Sequence, residues 1–471
     1  MYKALFFILL FFIFHYLFIS TTKNDTINIF AQNMTNQTEY LNTTESFLTK
    51  TKPYLQVISP SNSTVKSLIT FNDILPNGYI FPRLPDGLAS IPNRDGFIDI
   101  FVNHELALDK VNEYAKVSKL TVDENGRIIS GELIEDGSGK YERFCSATIF
   151  MENGFKNPLF VTNEEVEEGI VVAYDTVTKN KTEMPWLGKF SHENTILVPN
   201  KNNKTIVLTT EDGDPNHSQL YMFISDNPTN FLNGIGKLYV LIGENNITSF
   251  QDLQKGIIYN GHFQPVTWNW MTQNSTDLEK EVQNLNALDF MRLEDTDYNK
   301  VNNSVIYITD TGSDKFGERY KDGRLYQFEI IEPSLNQANN TNVTNNNNNY
   351  YKVKISILLD GGDGGDDLRN PDNIATSKKS IMIQEDLNDY NIIDGGVNAR
   401  VLKYDLTSHN LDPVAIVDQS PDVSHPKAGE WESSGIIEVF DIFGKGYWLL
   451  DIQAHTLGEG GQLLLMNSPG S

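Results

Sequence analysis

The sequence is poor in cysteine and in basic charge, and both shortages limit what the protein can do. Cys145 is the only cysteine among 471 residues, so no disulfide can form within the chain. Lysine and arginine number 37 against 62 aspartate and glutamate residues, which gives a net charge of −25. Nucleic acid is not expected as a partner, because a phosphate backbone requires a basic surface.

The signatures of several common enzyme classes are missing as well. No Gly-x-Ser-x-Gly turn or Ser-His-Asp arrangement indicates a serine hydrolase. No glycine-rich loop indicates a phosphate cradle, and no spacing matches an EF-hand or a zinc signature. Helices do not alternate with strands, as a Rossmann-like fold requires.

One long apolar run stands at the N-terminus, where Lys3 precedes Ala4 to Ser20. This pattern indicates a secretory signal or a membrane anchor. As a helix its 17 residues would span about 26 Å, slightly less than the ~30 Å of a hydrocarbon core, and no clear cleavage site follows. Thirteen Asn-x-Ser/Thr sequons agree with export. We expect a secreted or surface-anchored glycoprotein that meets the membrane only through this segment.

The rest of the chain divides into a stalk and one large domain. Residues 21–51 are rich in asparagine and threonine and read as a flexible stalk after the signal or anchor of residues 1–20. Residues 52–471 alternate short β-forming runs with turn residues. We predict an all-β domain, a six-bladed β-propeller, with a pair of β-sandwich domains as the alternative.

Two segments differ from this strand pattern. Asp277–Phe290 places apolar residues at helical spacing and predicts a short inserted amphipathic helix. Asn336–Asn349 is a low-complexity tract and predicts a surface loop.

Acidic residues repeatedly follow the β-forming runs, as Glu211 follows Thr205–Thr210. Two carboxylates about 4 Å apart repel by roughly 4 kcal/mol at an effective dielectric near 20, so a cluster of them requires cations. Ca²⁺ takes six to eight oxygen ligands. The candidate ligands are Glu105, Glu164, Glu165, Glu193, Glu211, Asp212, Glu294, Asp372, Asn373, Glu385 and Glu432.

Cysteine and histidine offer further ligands, each with a structural alternative. Cys145 is either a small buried hydrophobe or a metal-bound thiolate. His104 and His192 each precede a glutamate and are either metal-site residues or structural histidines.

The motifs follow one another in a characteristic order: Asn103–Leu106, Cys145-Ser146, Glu164-Glu165, Gly188–Glu193, Glu211–Asp214, Arg292–Asp295, Pro371–Ala375, Gln384–Asp386 and Gly429–Glu432. This order resembles the PhoX-type alkaline phosphatases and the wider exported family around them. The resemblance runs from about residue 78 to residue 456. It departs from the family pattern in Ser146–Phe150, at Asn163 in place of a second cysteine, and at Leu293 in place of a proline.

The resemblance implies a β-propeller whose central end holds several Ca²⁺ ions and, in the phosphatases, an iron (Fe³⁺) site with a cysteine ligand. Carried over position by position, Arg292 becomes the phosphate-binding residue. The implied metal ligands are Cys145, Glu105, Glu164, Glu165, Glu193, Glu211, Glu294, Asp372, Asn373, Glu385 and Glu432.

We therefore expect an extracellular, monomeric phosphomonoesterase that acts on small phosphate esters. Two alternatives stay open. One is a non-catalytic, calcium-stabilised surface propeller that binds a glycan or a protein. The other is a calcium-dependent lactonase or esterase, which would need one central calcium and no cysteine.

Overall fold

The fold is seen in a computed structural model that describes residues 46–93, 96–200, 204–214, 217–333, 350–362, 365–387, 397–424 and 429–470. The predicted signal or anchor, nearly all of the predicted stalk and the tract Asn336–Asn349 lie outside the described residues. Within those ranges, no helix is long and apolar enough to cross a membrane.

The folded unit begins slightly before the predicted domain boundary. Phe47–Ser471 form one compact unit, whereas the composition placed the boundary at Lys52. Phe47 exchanges backbone hydrogen bonds of 2.8 and 2.9 Å with Ile128, and the amide of Thr49 donates to the carbonyl of Leu68 at 3.1 Å. These bonds attach the end of the Asn/Thr-rich segment to the sheets.

The described residues contain 26 strands in five antiparallel sheets. The first two strands join sheets that later parts of the chain form: they are β1 (Leu55–Val57) and β2 (Thr64–Thr70). The next two sheets are each built from four consecutive strands. These are β3 (Pro85–Pro92), β4 (Ile98–His104), β5 (Lys116–Val122) and β6 (Ile128–Glu135), then β7 (Phe144–Phe150), β8 (Leu159–Glu164), β9 (Val171–Asp175) and β10 (Lys181–Glu183).

The third sheet has nine strands and is two runs joined edge to edge. Its first run contains β11 (His192–Leu197), β12 (Thr205–Glu211), β13 (Leu220–Ser225), β14 (Lys237–Gly243) and β15 (Tyr259–Pro265). Its second run contains β16 (Leu293–Tyr298), β17 (Val305–Asp310), β18 (Arg324–Ile331) and β19 (Lys352–Asp360). The runs meet where β15 pairs with β19, with Tyr259 opposite Ile355.

Each of the last two sheets includes one of the first two strands of the domain. They contain β20 (Pro371–Thr376), β21 (Ser380–Glu385), β22 (Arg400–Asp405) and β23 (Leu411–Val417), then β24 (Glu432–Glu438), β25 (Tyr447–Ala454) and β26 (Gly460–Asn467). β1 pairs with β23, and β2 pairs with β26. The two ends of the domain are thereby joined by backbone hydrogen bonds.

Six strands form a closed inner ring: β3, β7, β11, β16, β20 and β24. Each packs against the next, and β24 packs against β3. Apolar side chains fill the space between neighbouring sheets; Phe101 stacks on Phe160 with ring centroids 5.1 Å apart. The C-terminal halves of the inner strands line a cavity of about 500 Å³. The arrangement is all-β and propeller-like, and the β-sandwich alternative does not describe it.

Helices are few and short in the described part of the chain. They are α1 (Leu108–Val111), α2 (Pro228–Leu232), α3 (Ser275–Asn284) and α4 (Phe440–Phe443), with 3₁₀ turns at Pro185–Leu187, Phe250–Asp252 and Asp314–Phe316. The predicted inserted helix is confirmed as α3. Asn274 caps its start by accepting from the amide of Asp277, and Leu278 and Val282 are buried. The helix ends before the predicted Phe290, because Asn286 adopts a left-handed conformation with φ of 54°.

Candidate metal centre

The inner strands position polar side chains through a repeated irregularity in their pairing. Five of them shift register against the neighbouring strand within their first residues: between Pro85 and Leu88, Phe144 and Ala147, His192 and Thr195, Leu293 and Thr296, and Pro371 and Ile374. Such bulges change the direction in which a side chain points. The second residues of these five strands are Asp86, Cys145, Glu193, Glu294 and Asp372.

A second set of side chains follows the strands that neighbour the inner ring. The first residues after β4, β8, β12, β21 and β25 are Glu105, Glu165, Asp212, Asp386 and His455. Both sets lie near the N-terminal ends of the inner strands, where six of these ten residues form two groups of candidate ligands.

The first group contains a thiol and two carboxylates. One ligand atom each from Glu105, Cys145 and Glu165 lies within 4.8 Å of the others. The thiol of Cys145 donates to Oε2 of Glu165 at 2.9 Å. Burial, together with the charges of Glu165 and Glu193, raises the pKa of the Cys145 thiol well above its ordinary value. The thiol is therefore protonated unless a cation stabilises the thiolate.

The second group contains only carboxylates. Glu193, Glu294 and Asp372 also bring ligand atoms within 4.8 Å of one another. The hydroxyl of Ser146 donates to Glu193 at 2.7 Å. Burial, followed by the charges of neighbouring carboxylates, raises the pKa of all three carboxyls well above their ordinary values; the first of these neighbours is Glu294 for Glu193, Asp212 for Glu294 and Glu432 for Asp372. A bound cation would remove both causes of instability, because it supplies opposite charge and takes the place of the protons.

Cationic side chains surround the two groups. Nε and Nη2 of Arg292 donate to the two oxygens of Asp212 at 2.9 and 2.7 Å, and Nη2 lies 3.5 Å from Glu294. The side chain of Arg292 is 29% exposed, so solvent reaches it. Nζ of Lys110 donates to Glu105 at 2.8 Å. The arginine predicted to bind phosphate thus lies beside the second group, with one edge of its guanidinium held by Asp212.

The predicted ligand Glu432 lies in the same region, and Asn373 has a different role. Nε2 of His455 lies 3.1 Å from Glu432. Burial opposes a charge on His455, but the attraction of Glu432 outweighs it and raises the pKa of His455 well above its ordinary value. Nδ2 of Asn373 donates to the hydroxyl of Ser146 at 3.0 Å, and Oδ1 of Asn373 accepts from the backbone amide of Gly435 at 3.2 Å. Asn373 therefore links three inner strands.

The predicted ligands Glu164, Glu211 and Glu385 lie outside both groups. Glu164 accepts from the backbone of Glu142 at 3.0 Å, and Glu211 accepts from the backbone of Gln219 at 3.3 Å. Each of the three is the last residue of its strand, whereas the residue after it belongs to the central set. The sequence shows paired acids at these positions but does not show which member faces the centre.

Glu385 illustrates how firmly these outward residues are held. It is fully buried and lies 2.6 Å from Nη2 of Arg400 and 3.3 Å from Nη2 of Arg369. Two arginines neutralise its charge, so it needs no metal ion. Side chains alternate between opposite faces along a strand, and Asp386 accordingly lies on the central side. Burial, followed by the charges of Glu432 and Asp372, raises the pKa of Asp386 well above its ordinary value.

The two histidines have structural partners. Nδ1 of His104 lies 2.9 Å from the carbonyl of Arg83, and Nε2 lies 2.6 Å from the hydroxyl of Ser118. Nδ1 of His192 lies 2.9 Å from Thr209. Burial lowers the pKa of each histidine to about 3. These contacts favour the structural interpretation of both residues.

Sequence reasoning missed Asp86, Lys110, Arg143 and His455. Asp86 and His455 occupy the repeated positions described above, so a complete strand assignment would have indicated them. Arg143 lies 3.9 Å from Glu105 and 3.3 Å from Asp109. No sequence pattern indicated Lys110 or Arg143.

The donor set fits metal binding. Oxygen donors suit hard cations such as Ca²⁺, and a thiolate suits a transition metal. Oε1 of Glu294 is buried and accepts no hydrogen bond from the described residues, although Nη2 of Arg292 lies 3.5 Å away as an ion-pair partner. A buried polar atom without a hydrogen bond is costly, and a bound cation would satisfy it.

Comparisons with known proteins agree with this geometry. The family model of the alkaline phosphatase PhoX matches residues 117–410. The structure of Pseudomonas fluorescens PhoX in complex with vanadate, a transition state analogue, is similar over 90% of this chain and 97% of that one, with a TM-score of 0.59 and 12% identity. That likeness confirms the propeller-like fold.

A second solved structure, YCF48 bound to D1 peptide, aligns with 89% of this chain over 99% of the YCF48 chain. Its TM-score of 0.32 and 11% identity are too low to support an argument. No curated protein matches the chain. Because the family model spans more than half of the sequence and the fold agrees, the chain belongs to the PhoX alkaline phosphatase family.

Proposed function

We propose that the protein is an exported, metal-dependent phosphomonoesterase built on a six-bladed β-propeller. The observation that supports this most strongly is the arrangement at one end of the inner ring. There Cys145 and clustered carboxylates lie beside Arg292, which solvent reaches. Family membership supports a phosphatase; the substrate class and the metals are our proposal.

The two groups suit two kinds of metal. Glu105, Cys145 and Glu165 would hold Fe³⁺, because a thiolate is a poor ligand for calcium. The second group and its neighbours would hold Ca²⁺ through oxygen; these residues are Glu193, Glu294, Asp372 and Glu432. Glu164, Glu211, Asn373 and Glu385 are not in the proposed ligand set, because they belong to neither group and their side chains hold other parts of the protein instead. When bound, the metals would neutralise phosphate charge and activate an oxygen nucleophile.

Arg292 would bind and orient the phosphate of the substrate. Asp212 holds Nε and Nη2 of the guanidinium and so fixes its plane. Contact with a phosphate would use the remaining Nη1 edge. An arginine held in this way needs no reorganisation when charge spreads over the phosphate oxygens, which favours the transition state.

The proposed substrate is a small phosphate ester, and the proposed setting is extracellular. Export rests on the N-terminal apolar run and the sequons. Phosphate esters are anionic, and the net charge of −25 would repel them unless the bound cations made the site locally positive. We propose that the protein acts as a monomer.

The test is hydrolysis of p-nitrophenyl phosphate by the full-length protein after equilibration with calcium and iron. Arg292→Lys keeps the charge but loses the planar fork. We expect the kcat of Arg292→Lys to fall roughly a hundredfold, because loss of a contact made mainly in the transition state costs about 3 kcal/mol. Metal content should stay unchanged, since Arg292 is not a ligand.

The control is Arg127→Lys, which makes the same change at an exposed position and should leave kcat unchanged. A fully metal-loaded wild-type protein without phosphatase activity would contradict the proposal and favour a non-catalytic calcium propeller. A protein with one calcium and lactonase activity would favour the other alternative.

A further inference from the structure

The cavity of about 500 Å³ lies at the end of the inner ring opposite the candidate metal centre. The inner strands contribute their second residues to the metal centre, whereas the cavity is lined by residues from the third position of each strand onward. Pockets of roughly 300–1,000 Å³ with apolar walls and a few polar groups are typical of sites for small organic molecules. The size and position of this cavity therefore suit a small ligand that is distinct from the phosphate ester and the metals.

A layer of hydrogen bonds lies between the cavity and the metal centre. It is built from the third residues of four inner strands, which are Ser146, Asn194, Asp295 and Asn373. Nδ2 of Asn373 donates to the hydroxyl of Ser146 at 3.0 Å. Nδ2 of Asn194 donates to Asp295, which also accepts from the backbone amide of Ile374 at 2.9 Å. Because this layer joins the strands across the ring, the cavity is a site separate from the metal centre.

The walls of the cavity are mostly apolar. Leu88, Ile196, Ile374 and Ile436 line it on four different strands and are all buried. Water between apolar walls is unfavourable, and an apolar group that replaces it gains the hydrophobic free energy of both surfaces. The walls therefore favour a ligand with an apolar body.

Acidic side chains dominate the charge of the cavity. One lining residue, Lys300, is basic, and five are acidic: Glu152, Asp295, Asp297, Glu438 and Asp441. Nζ of Lys300 donates to the two oxygens of Asp297 at 2.8 and 3.0 Å, and it lies 4.1 Å from the centroid of the Tyr298 ring. Asp297 thus neutralises the one basic residue of the cavity, which is then not available to an anionic ligand.

Three of the acidic side chains have no cationic partner. Within the described part of the chain, Glu152, Glu438 and Asp441 form no ion pair with a lysine, arginine or histidine. Glu152 and Asp441 are exposed and Glu438 is half-buried, so they mark the side of the cavity that solvent reaches. Burial raises the pKa of Glu438 above its ordinary value, and the charges of Asp441 and Asp297 act in the same direction. A cationic group at this mouth would reduce the repulsion between the three carboxylates.

We propose that this cavity binds an organic ammonium ion with a short apolar body. The apolar body would contact the walls formed by the inner strands, and the ammonium group would lie at the mouth beside Glu152, Glu438 and Asp441. The walls exclude water from the body of the ligand, while the unpaired carboxylates select its charge. The site does not depend on whether the protein hydrolyses phosphate esters.

The experiment is calorimetric titration of the full-length protein at neutral pH with hexylammonium, hexanol and hexanoate. These probes share an apolar chain and differ in the charge of the head group. We expect hexylammonium to bind about tenfold more tightly than hexanol, because several carboxylates act on its charge. Hexanoate should bind the cavity more weakly than hexanol, because the same carboxylates repel it.

Two variants locate the binding. Thr148 is half-buried and lines the cavity, so Thr148→Phe should occupy the space and abolish binding of both hexylammonium and hexanol. Glu438→Gln should weaken hexylammonium about fivefold, the effect of one partly exposed ion pair, and leave hexanol unchanged. Thr178→Phe and Glu124→Gln are the matched controls, since they make the same changes at exposed positions and should bind both probes as wild type does.

Should Thr148→Phe fail to fold, Ser90→Phe replaces it, because Ser90 is also half-buried and lines the cavity from β3. Equal affinity for hexylammonium and hexanol would overturn the proposal, and so would the absence of binding by either probe. Hexylammonium binding that the cavity-filling variant leaves unchanged would place the site elsewhere and would also overturn it. A preference for hexanoate that the same variant abolishes would show an anion site instead. Phosphatase activity enters none of these readouts, so failure of this site and failure of the proposed function are separate results.

Discussion

At the scale of single residues, the structure separates neighbours that the sequence treats alike. Glu164 and Glu165 form one acidic pair, and the sequence predicted both as ligands. The strand β8 ends at Glu164, which backbone amides engage, while Glu165 contacts the thiol of Cys145. Alternation of side chains along a strand causes the difference, and it becomes visible only when the end of the strand is known.

This separation gives a matched pair of variants. Burial, followed by the charges of Asp212 and Glu105, raises the pKa of Glu165 to about 8, which shows how unfavourable its charge is without a cation. Glu165→Gln should lower the affinity for the thiolate-bound metal by at least tenfold, since one anionic ligand is lost. Glu164→Gln should bind metal as wild type does. The measurement is metal content after dialysis against graded concentrations of a competing chelator.

Equal metal loss in both variants would show that the orientation of these two side chains does not determine which of them binds the metal. Loss in Glu164→Gln alone would contradict the ligand set proposed here.

At the scale of elements, the sequence predicted the type of structure better than its organisation. The apolar spacing in Asp277–Phe290 gave the helix α3, because the buried residues Leu278 and Val282 follow a helical period. Three short segments resemble one another in the sequence and indicate repeated four-stranded units: Leu220–Phe223, Leu238–Leu241 and Leu325–Phe328. The first and the last lie in β13 and β18, each the third strand counted from the inner ring, as a repeat predicts. The middle one lies in β14, beside β13, and is therefore a neighbour rather than an equivalent.

The bulges of the inner strands could not be predicted, because they depend on contacts between distant segments. Gly87 in β3 shows why. A Cβ there would lie 2.3 Å from the carbonyl oxygen of Cys145 and 2.5 Å from the amide of Ala147. Only glycine lets β3 approach β7 this closely, and nothing near Gly87 in the sequence reveals that β7 is its neighbour.

Gly87→Ala should therefore destabilise the domain and displace Cys145. Forcing a methyl group against two backbone atoms costs about 1–3 kcal/mol, and the measurement is the midpoint of urea unfolding. Gly256→Ala is the control: its φ is 87° and nothing lies within 4 Å of an added Cβ, so it adds only backbone strain of about 1–2 kcal/mol. Thiolate-bound metal should fall in Gly87→Ala and stay constant in Gly256→Ala. Full metal binding by Gly87→Ala would contradict the positioning role of this contact.

At the scale of the whole molecule, closure of the ring explains how an acidic protein gathers its charges at one place. β1 pairs with β23 and β2 pairs with β26, so hydrogen bonds join the first strands to the last sheets. The sequence predicted a propeller from strand number and motif order, and the ring of six inner strands agrees with that architecture. Pairing of β15 with β19, which fuses two runs into one sheet, had no signal in the sequence.

The ring also makes the centre dependent on cations. The central carboxylates outnumber the positive side chains beside them. The carboxylates are Asp86, Glu105, Glu165, Glu193, Asp212, Glu294, Asp372, Asp386, Glu432 and Asp451, and the positive side chains are Lys110, Arg143, Arg292 and His455. Metal ions that bind only the folded protein would stabilise it by mass action.

The central claim is that one centre combines a thiolate-bound transition metal with calcium held by carboxylates. Elemental analysis of the full-length wild-type protein and of Cys145→Ser tests it most directly. We predict that wild type contains iron and several calcium ions, and that Cys145→Ser loses the iron while retaining most of the calcium, because a hydroxyl replaces the soft ligand. Wild-type protein without a transition metal, or Cys145→Ser with full iron content and full phosphatase activity, would contradict the claim.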